Sequence, residues 1–232
     1  MGKKYKHLFF DLDRTLWDFE KNSLETLSEL FIEFNLSTLG IPSFQEFSER
    51  YLKHNELLWD GYAKGSVDKE TLRTQRFHRT FLDFGVDNFE LSLGFGDCYV
   101  SNGPLKTNLH PFAIETLQYL SDKYILHIIT NGFEEVQHIK IENSGIKPYF
   151  RNVITSEMAG GKKPGKKIFH YSLYRAKAKS KESIMIGDSL EIDVMGAKNA
   201  GMDQVYFNPE KLKHHSNITY EISCLSELMR IL

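Results

Sequence analysis

Cysteine is scarce in this chain, long apolar runs are missing, and neither sign of charge dominates. Its two cysteines among 232 residues, Cys98 and Cys224, lie far apart in unrelated contexts. That excludes a disulfide-stapled scaffold and suits free thiols in a reducing compartment. No apolar stretch approaches the roughly 20 residues that a membrane-spanning helix needs. Met1-Gly2-Lys3-Lys4-Tyr5-Lys6 runs into a strand within a few residues, without the apolar core of a signal peptide. Lys6 also stands where a myristoylation signal needs Ser or Thr. The expectation is a cytoplasmic protein with no membrane partner. The 29 basic and 31 acidic residues leave a formal charge of -2, so the broad basic field on which nucleic-acid binding rests is absent. Any phosphate must be bound locally. Internal repeats and low-complexity tracts are also lacking.

What is present is organised around His7-Leu8-Phe9-Phe10-Asp11-Leu12-Asp13-Arg14-Thr15-Leu16. A short apolar run bounded by polar residues is the pattern of a strand buried on both faces of a parallel sheet. Asp11 and Asp13 leave its C-terminal end, the edge where open α/β sheets bind ligands, and residues two apart point the same way. Two carboxylates this close repel unless a cation or a shared proton intervenes. A divalent metal site answers that need; a turn in which Asp13 caps the next helix is the plainer alternative.

The next stretch is helical. Leu24, Leu27, Leu30, Phe31 and Phe34 fall at helical spacing, with Asn22 or Ser23 available as a cap. Ser43 opens a second helix to about Tyr62, with Phe44, Phe47, Tyr51, Leu57, Leu58 and Trp59 on its buried side. Further helices are expected from about Asp68 to Phe84 and from Asn88 to Asn102. On the third, Arg73, Arg76 and Arg79 recur at i, i+3 and i+6 and read as a solvated stripe. From Pro111 strands and helices alternate: a helix through Leu120, then strands at Tyr124–Thr130, Asn152–Thr155, Ser183–Ile186, Gln204–Phe207 and Tyr220–Ile222. Helices are expected over Glu134–Asn143, Lys167–Ala178, Glu191–Ala200 and Leu225–Leu232. The expected fold is therefore α/β: a Rossmann-like parallel sheet with helices on both faces, residues 1–16 and 105–232. An all-helical insertion, 17–104, would form a separate small domain.

Four strand ends or following loops carry related chemistry: Asp11 with Asp13, Thr130 with Asn131, Lys163, and Asp188 with Asp193. Each has a plain reading alone, as cap, turn or solvated lysine, but parallel strands bring all four to one edge. Together they suit phosphoryl transfer through a covalent intermediate. Asp11 is the candidate nucleophile. Mg²⁺ would be held by Asp11, Asp188 and the backbone carbonyl of Asp13. Lys163 and Thr130, with Asn131 beside it, would bind phosphoryl oxygens. Asp13 would act as general acid and then base, and Asp193 would steady Lys163 or a metal-bound water, or simply pack near the start of its helix.

Asp11-Leu12-Asp13-Arg14-Thr15, Thr130-Asn131-Gly132, Lys163-Pro164 and Gly187-Asp188-Ser189 with Asp193 resemble, in order, the four motifs of the haloacid dehalogenase superfamily. The resemblance covers nearly the whole chain and makes the helical block similar to that superfamily's inserted cap. It implies a Mg²⁺-dependent phosphohydrolase acting on a small phosphorylated metabolite, as a monomer or a dimer. Asp11 through Phe19 and the cap length look most like the pyrimidine 5'-nucleotidase group that acts on non-standard nucleotides. Sugar phosphatases and phosphosugar mutases share the motifs, but Arg14 stands where the superfamily commonly has glycine. A phospho-ligand sensor without turnover is the non-enzymatic alternative.

Overall fold

The computed structural model describes residues 5–232; the reading of Met1 through Lys4 as a segment without a signal lies outside them. The chain divides into two compact units, one running to Phe19 and resuming at Thr107, the other Glu20–Lys106. In chain order, strand β1 (His7–Phe10) is followed by helices α1 (Phe19–Glu33), α2 (Phe44–Lys64), α3 (Lys69–Leu82) and α4 (Phe89–Asn102). Then come α5 (Ala113–Ser121), β2 (Ile125–Thr130), α6 (Glu134–Asn143), β3 (Phe150–Thr155), a single turn α7 (Ser156–Ala159) and α8 (Lys166–Ala176). β4 (Ser183–Gly187), a π-helical turn over Leu190–Met195, α9 (Gly196–Asn199), β5 (Asp203–Phe207), β6 (Tyr220–Ile222) and α10 (Leu228–Ile231) complete the chain.

The six strands form one sheet in the order β3-β2-β1-β4-β5-β6, and every pairing is parallel. Parallel strands are covered by helices on both faces, which is why β1 is apolar throughout. Leu8 and Phe10 pack with Leu126, Ile128, Ile184, Val205 and Leu117 on one face. Phe9 packs with Ile129, Met185, Ile168 and Phe169 on the other. β1 lies centrally, where successive crossovers depart in opposite directions, the place at which such sheets open a crevice for ligands. Phe10 pairs with Ile128 on one side and Ile186 on the other, so the residues after β1, β2 and β4 emerge side by side. This is the expected α/β architecture with a helical insertion. Among the described residues no helix is long and apolar enough to cross a membrane.

The inserted unit has its own core of Leu27, Leu30, Phe31, Phe47, Tyr51, Phe77, Phe81, Phe95 and Tyr99. Ser43, Asp68 and Asn88 cap α2, α3 and α4 by accepting from the amides of Glu46, Thr71 and Leu91. Three expectations are corrected here. Asn22 and Ser23 do not cap α1: they lie within it and are buried, Ser23 sharing a 2.8 Å hydrogen bond with the Tyr99 hydroxyl. Leu57 faces outward, 58% exposed, while Leu58, about a third of a turn further on, is buried. Arg76 is no part of a solvated stripe: it is 4% exposed, donates to Asn55 Oδ1 at 3.3 Å and lies against the rings of Phe77 and Tyr99.

Candidate active site

The segment leaving β1 is a tight loop. The Leu12 carbonyl accepts from the amides of Thr15, Leu16 and Trp17, and the Arg14 amide donates to the Trp17 carbonyl. Arg14 takes a left-handed conformation, φ 66°, to close it. The Asp11 amide donates to the Ile186 carbonyl at 2.9 Å, continuing the β1–β4 ladder for one more residue. This fixes the Asp11 backbone rigidly at the sheet's C-terminal edge.

Asp11, Asp188 and Asp193 each present a carboxylate oxygen, all within 4.8 Å of one another. Lys163 enters from the loop before α8, and its ammonium donates to Asp11 Oδ1 at 2.5 Å, to Asp193 Oδ1 at 2.6 Å and to the Ile129 carbonyl at 3.0 Å. It is 2% exposed and Asp193 1%. Lys163 is held by its own backbone: Asn131 Oδ1 accepts from its amide at 2.8 Å and Asn131 Nδ2 donates to its carbonyl at 2.9 Å. The Asn131 side chain is therefore spent on aiming Lys163. Thr130 Oγ1 accepts from the Gly132 amide at 3.0 Å, which leaves its hydroxyl proton to be given elsewhere. Thr15 bridges the loop to β4, donating to Asp188 Oδ1 and accepting from the Asp188 amide, each at 3.1 Å.

The helix expected over Glu191–Ala200 is instead a π-helical turn running into α9. The Ser189 carbonyl accepts from Val194 as well as Asp193. The wider turn directs Asp193 back toward Lys163, with its Oδ2 accepting from the Ser189 amide at 3.1 Å. A Cβ on Gly187 would stand 2.5 Å from Asp193 Cβ and Cγ, so glycine at the end of β4 is what admits this approach.

Of the three carboxylates, the buried ammonium bonds two, Asp11 and Asp193. Burial pushes Asp11 well above the usual carboxylate range; Lys163 opposes this, while the charges of Asp193 and Asp188 add to it. Asp188 is pushed up to about 7, first by its enclosure and then by Asp193, with Arg14 and Lys163 opposing. Burial by itself would draw Lys163 down, but Asp11 and Asp193 reverse that and hold it above the ordinary lysine range. The surplus negative charge, together with all-oxygen donors, fits a hard divalent cation.

Asp13 stands apart from this cluster. Gln137 Nε2 donates to its Oδ2 at 2.7 Å and Lys140 Nζ to its Oδ1 at 2.5 Å, both from α6. The sequence carries no signal for Gln137 or Lys140, which are buried with Ile141 on α6, and it assigned no role to Thr15, although Thr15 stands in the first motif.

A family model described as haloacid dehalogenase-like hydrolase matches residues 5–201. The chain is 32% identical to the pyrimidine 5'-nucleotidase PynA of Streptococcus pneumoniae, over 97% of this chain and 94% of that one. It is 31% identical to the pyrimidine 5'-nucleotidase YjjG of Escherichia coli, over 99% and 98%. Among solved structures, the HAD-hydrolase YfnB of Bacillus subtilis, bound to magnesium, superposes with a TM-score of 0.89 at 29% identity, covering 99% of each chain. With the family model spanning most of the chain and these relatives aligned almost end to end, the chain belongs to the haloacid dehalogenase-like hydrolases, as an enzyme of their phosphatase kind.

Proposed function

We propose that the protein is a Mg²⁺-dependent phosphomonoesterase working through an aspartyl-phosphate, with pyrimidine nucleoside 5'-monophosphates as its substrates. The observation that carries the chemistry is Lys163 bonded to both Asp11 and Asp193 at the edge of the sheet, beside Asp188. Asp11, Asp188 and the backbone carbonyl of Asp13 would hold the metal, which when bound neutralises the charge between carboxylate and phosphoryl oxygens. An Asp11 oxygen attacks phosphorus and the bond to the leaving oxygen breaks, with Asp13 delivering a proton to that oxygen. Asp13 then takes a proton from the water that attacks phosphorus and frees Asp11. The Thr130 hydroxyl donates to a phosphoryl oxygen, and the Lys163 charge, aimed by Asn131 and Asp193, offsets the negative charge developing there. In this reading the helical insertion, residues 17–104, is a separate cap domain.

The substrate class rests on the two nucleotidase relatives, each aligned over nearly its whole length. Phosphate release screened across nucleoside monophosphates and sugar phosphates is expected to be greatest with pyrimidine nucleoside 5'-monophosphates. Asp11→Asn or chelation of the metal should abolish release. Full activity of Asp11→Asn would sink the mechanism; preference for a sugar phosphate would keep the mechanism and change the substrate. Isomerisation of a hexose 1-phosphate without free phosphate would identify a mutase instead.

A further inference from the structure

The Asp13 carboxylate has a protein donor on each oxygen, and both come from the same face of α6, three residues apart. Packing alone does not account for them. Gln137 is 1% exposed and Lys140 6%, and an apolar pair at these positions would bury against the core without desolvating a charge. Instead Gln137 Oε1 is left buried without a hydrogen-bond partner, a cost of the kind retained where the other end of the amide has a task. Lys140 Nζ lies 4.0 Å from the centre of the Trp17 ring, so the aromatic face at the foot of the loop holds the ammonium in place. The glycine after Asn131 belongs to the same construction. A Cβ on Gly132 would fall 1.5 Å from Gln137 Nε2, so only glycine lets the amide pass to Asp13.

We propose that Gln137 and Lys140 are positioning residues for Asp13, a two-point clip that sets where its carboxylate stands for proton transfer. This rests on the reading of Asp13 as the general acid and base. Asp13 side-chain atoms are 27% exposed, and without the clip the carboxylate would turn freely about its two torsions. Proton transfer depends on holding such a group within a fraction of an ångström of its place. The clip acts on the reaction only through Asp13.

The leaving group separates this role from a structural one. A general acid matters for phenyl phosphate, whose phenolate leaves poorly, and matters little for p-nitrophenyl phosphate. Lys140→Met is expected to lower kcat/KM, which reports only the steps through formation of the aspartyl-phosphate, about 10-fold on phenyl phosphate and less than about twofold on p-nitrophenyl phosphate, with Lys140→Arg restoring most of the loss. In an Asp13→Asn background, Lys140→Met should then cost nothing further. Gln137→Leu carries the same test if Lys140→Met fails to fold. Equal losses of kcat/KM on both esters, or losses that add to those of Asp13→Asn, would overturn the clip. If Asp13→Asn itself leaves phenyl phosphate turnover intact, the assignment of Asp13 fails instead.

Discussion

Lys163 Nζ donates to Asp11 Oδ1 at 2.5 Å across 152 positions of sequence, and both side chains are buried. Removing one partner of a buried pair leaves the other's charge uncompensated, which typically costs about 3–5 kcal/mol. Lys163→Met strands two carboxylates, Asp11 and Asp193. It should lower unfolding stability in denaturant by that amount and cut turnover about 100-fold or more. Mg²⁺ should restore part of the stability and little of the rate. Unchanged stability without metal would show that the lysine is not what compensates these carboxylates.

Gly132 and Gly187 make a second prediction, because each clears space for one side chain of the site. Gly132→Ala drives Gln137 off Asp13, and Gly187→Ala drives Asp193 off Lys163. Overpacking of this kind costs about 1–3 kcal/mol. Thermal denaturation should show both variants destabilised, whereas Gly94→Ala, where a Cβ meets nothing within 4 Å, should be neutral or stabilising within its helix. A Gly132→Ala protein as stable as the parent would mean that Gln137 has another rotamer at no cost.

The strand ends were legible because their signal is local: an apolar run of four to six residues followed by Asp, Thr or Gly-Asp needs no knowledge of the partner strand. The order β3-β2-β1-β4-β5-β6 is long-range, yet right-handed crossovers restrict it enough that Asp11, Thr130 and Asp188 had to share an edge. Gln137 and Lys140 were not legible, since a polar pair on a short helix reads as solvated until its burial is known. Arg76 failed in the same way: three arginines at helical spacing read as one stripe, but its partners Asn55 and Tyr99 come from α2 and α4, contributed by the fold and by no pattern in α3. The π-helical turn was hidden because it spans only Leu190–Met195, too short a stretch for apolar spacing to tell it from an α-helical turn.

A histidine pair away from the site predicts acid sensitivity. His7 Nδ1 and His127 Nε2 are 3.1 Å apart, and Asn152 Nδ2 donates to His127 Nδ1 at 2.9 Å. That arrangement places the His127 proton on Nε2, shared toward His7, and requires a neutral ring. Burial, reinforced by His7 and Arg151, pushes His127 from 6.5 down to about 3, and burial also lowers His7. Below 6.5 the unfolded chain takes up a proton that the native ring refuses, so stability is full above that pH. It declines by at most about 1.4 kcal/mol per pH unit for His127 as pH falls toward 3. Denaturant melts between pH 7.5 and 4.5 should show this slope, and His127→Gln should reduce it. An identical slope in the variant would place the acid sensitivity elsewhere.

Arg14 offers the last prediction, and its sign comes from comparing three small effects. The left-handed conformation at φ 66° costs a residue with a Cβ about 1–2 kcal/mol, which glycine would recover. Glycine would give back about 0.5–1 kcal/mol in unfolded-state entropy and lose the guanidinium's contact with the Phe19 ring, 4.8 Å away and worth about 0.5–1 kcal/mol. The three nearly cancel, so Arg14→Gly should leave metal-free stability within about 0.5 kcal/mol of the parent. Stability therefore does not explain the arginine, whereas charge does: Arg14 is a cation that opposes the upward push on Asp188, and it would repel a second cation there. Removing it should tighten Mg²⁺ binding several-fold, read from the Mg²⁺ concentration that half-saturates the rise in Tm. Unchanged or weaker binding would mean that the guanidinium's field does not reach the metal, leaving the substrate as the object of its charge.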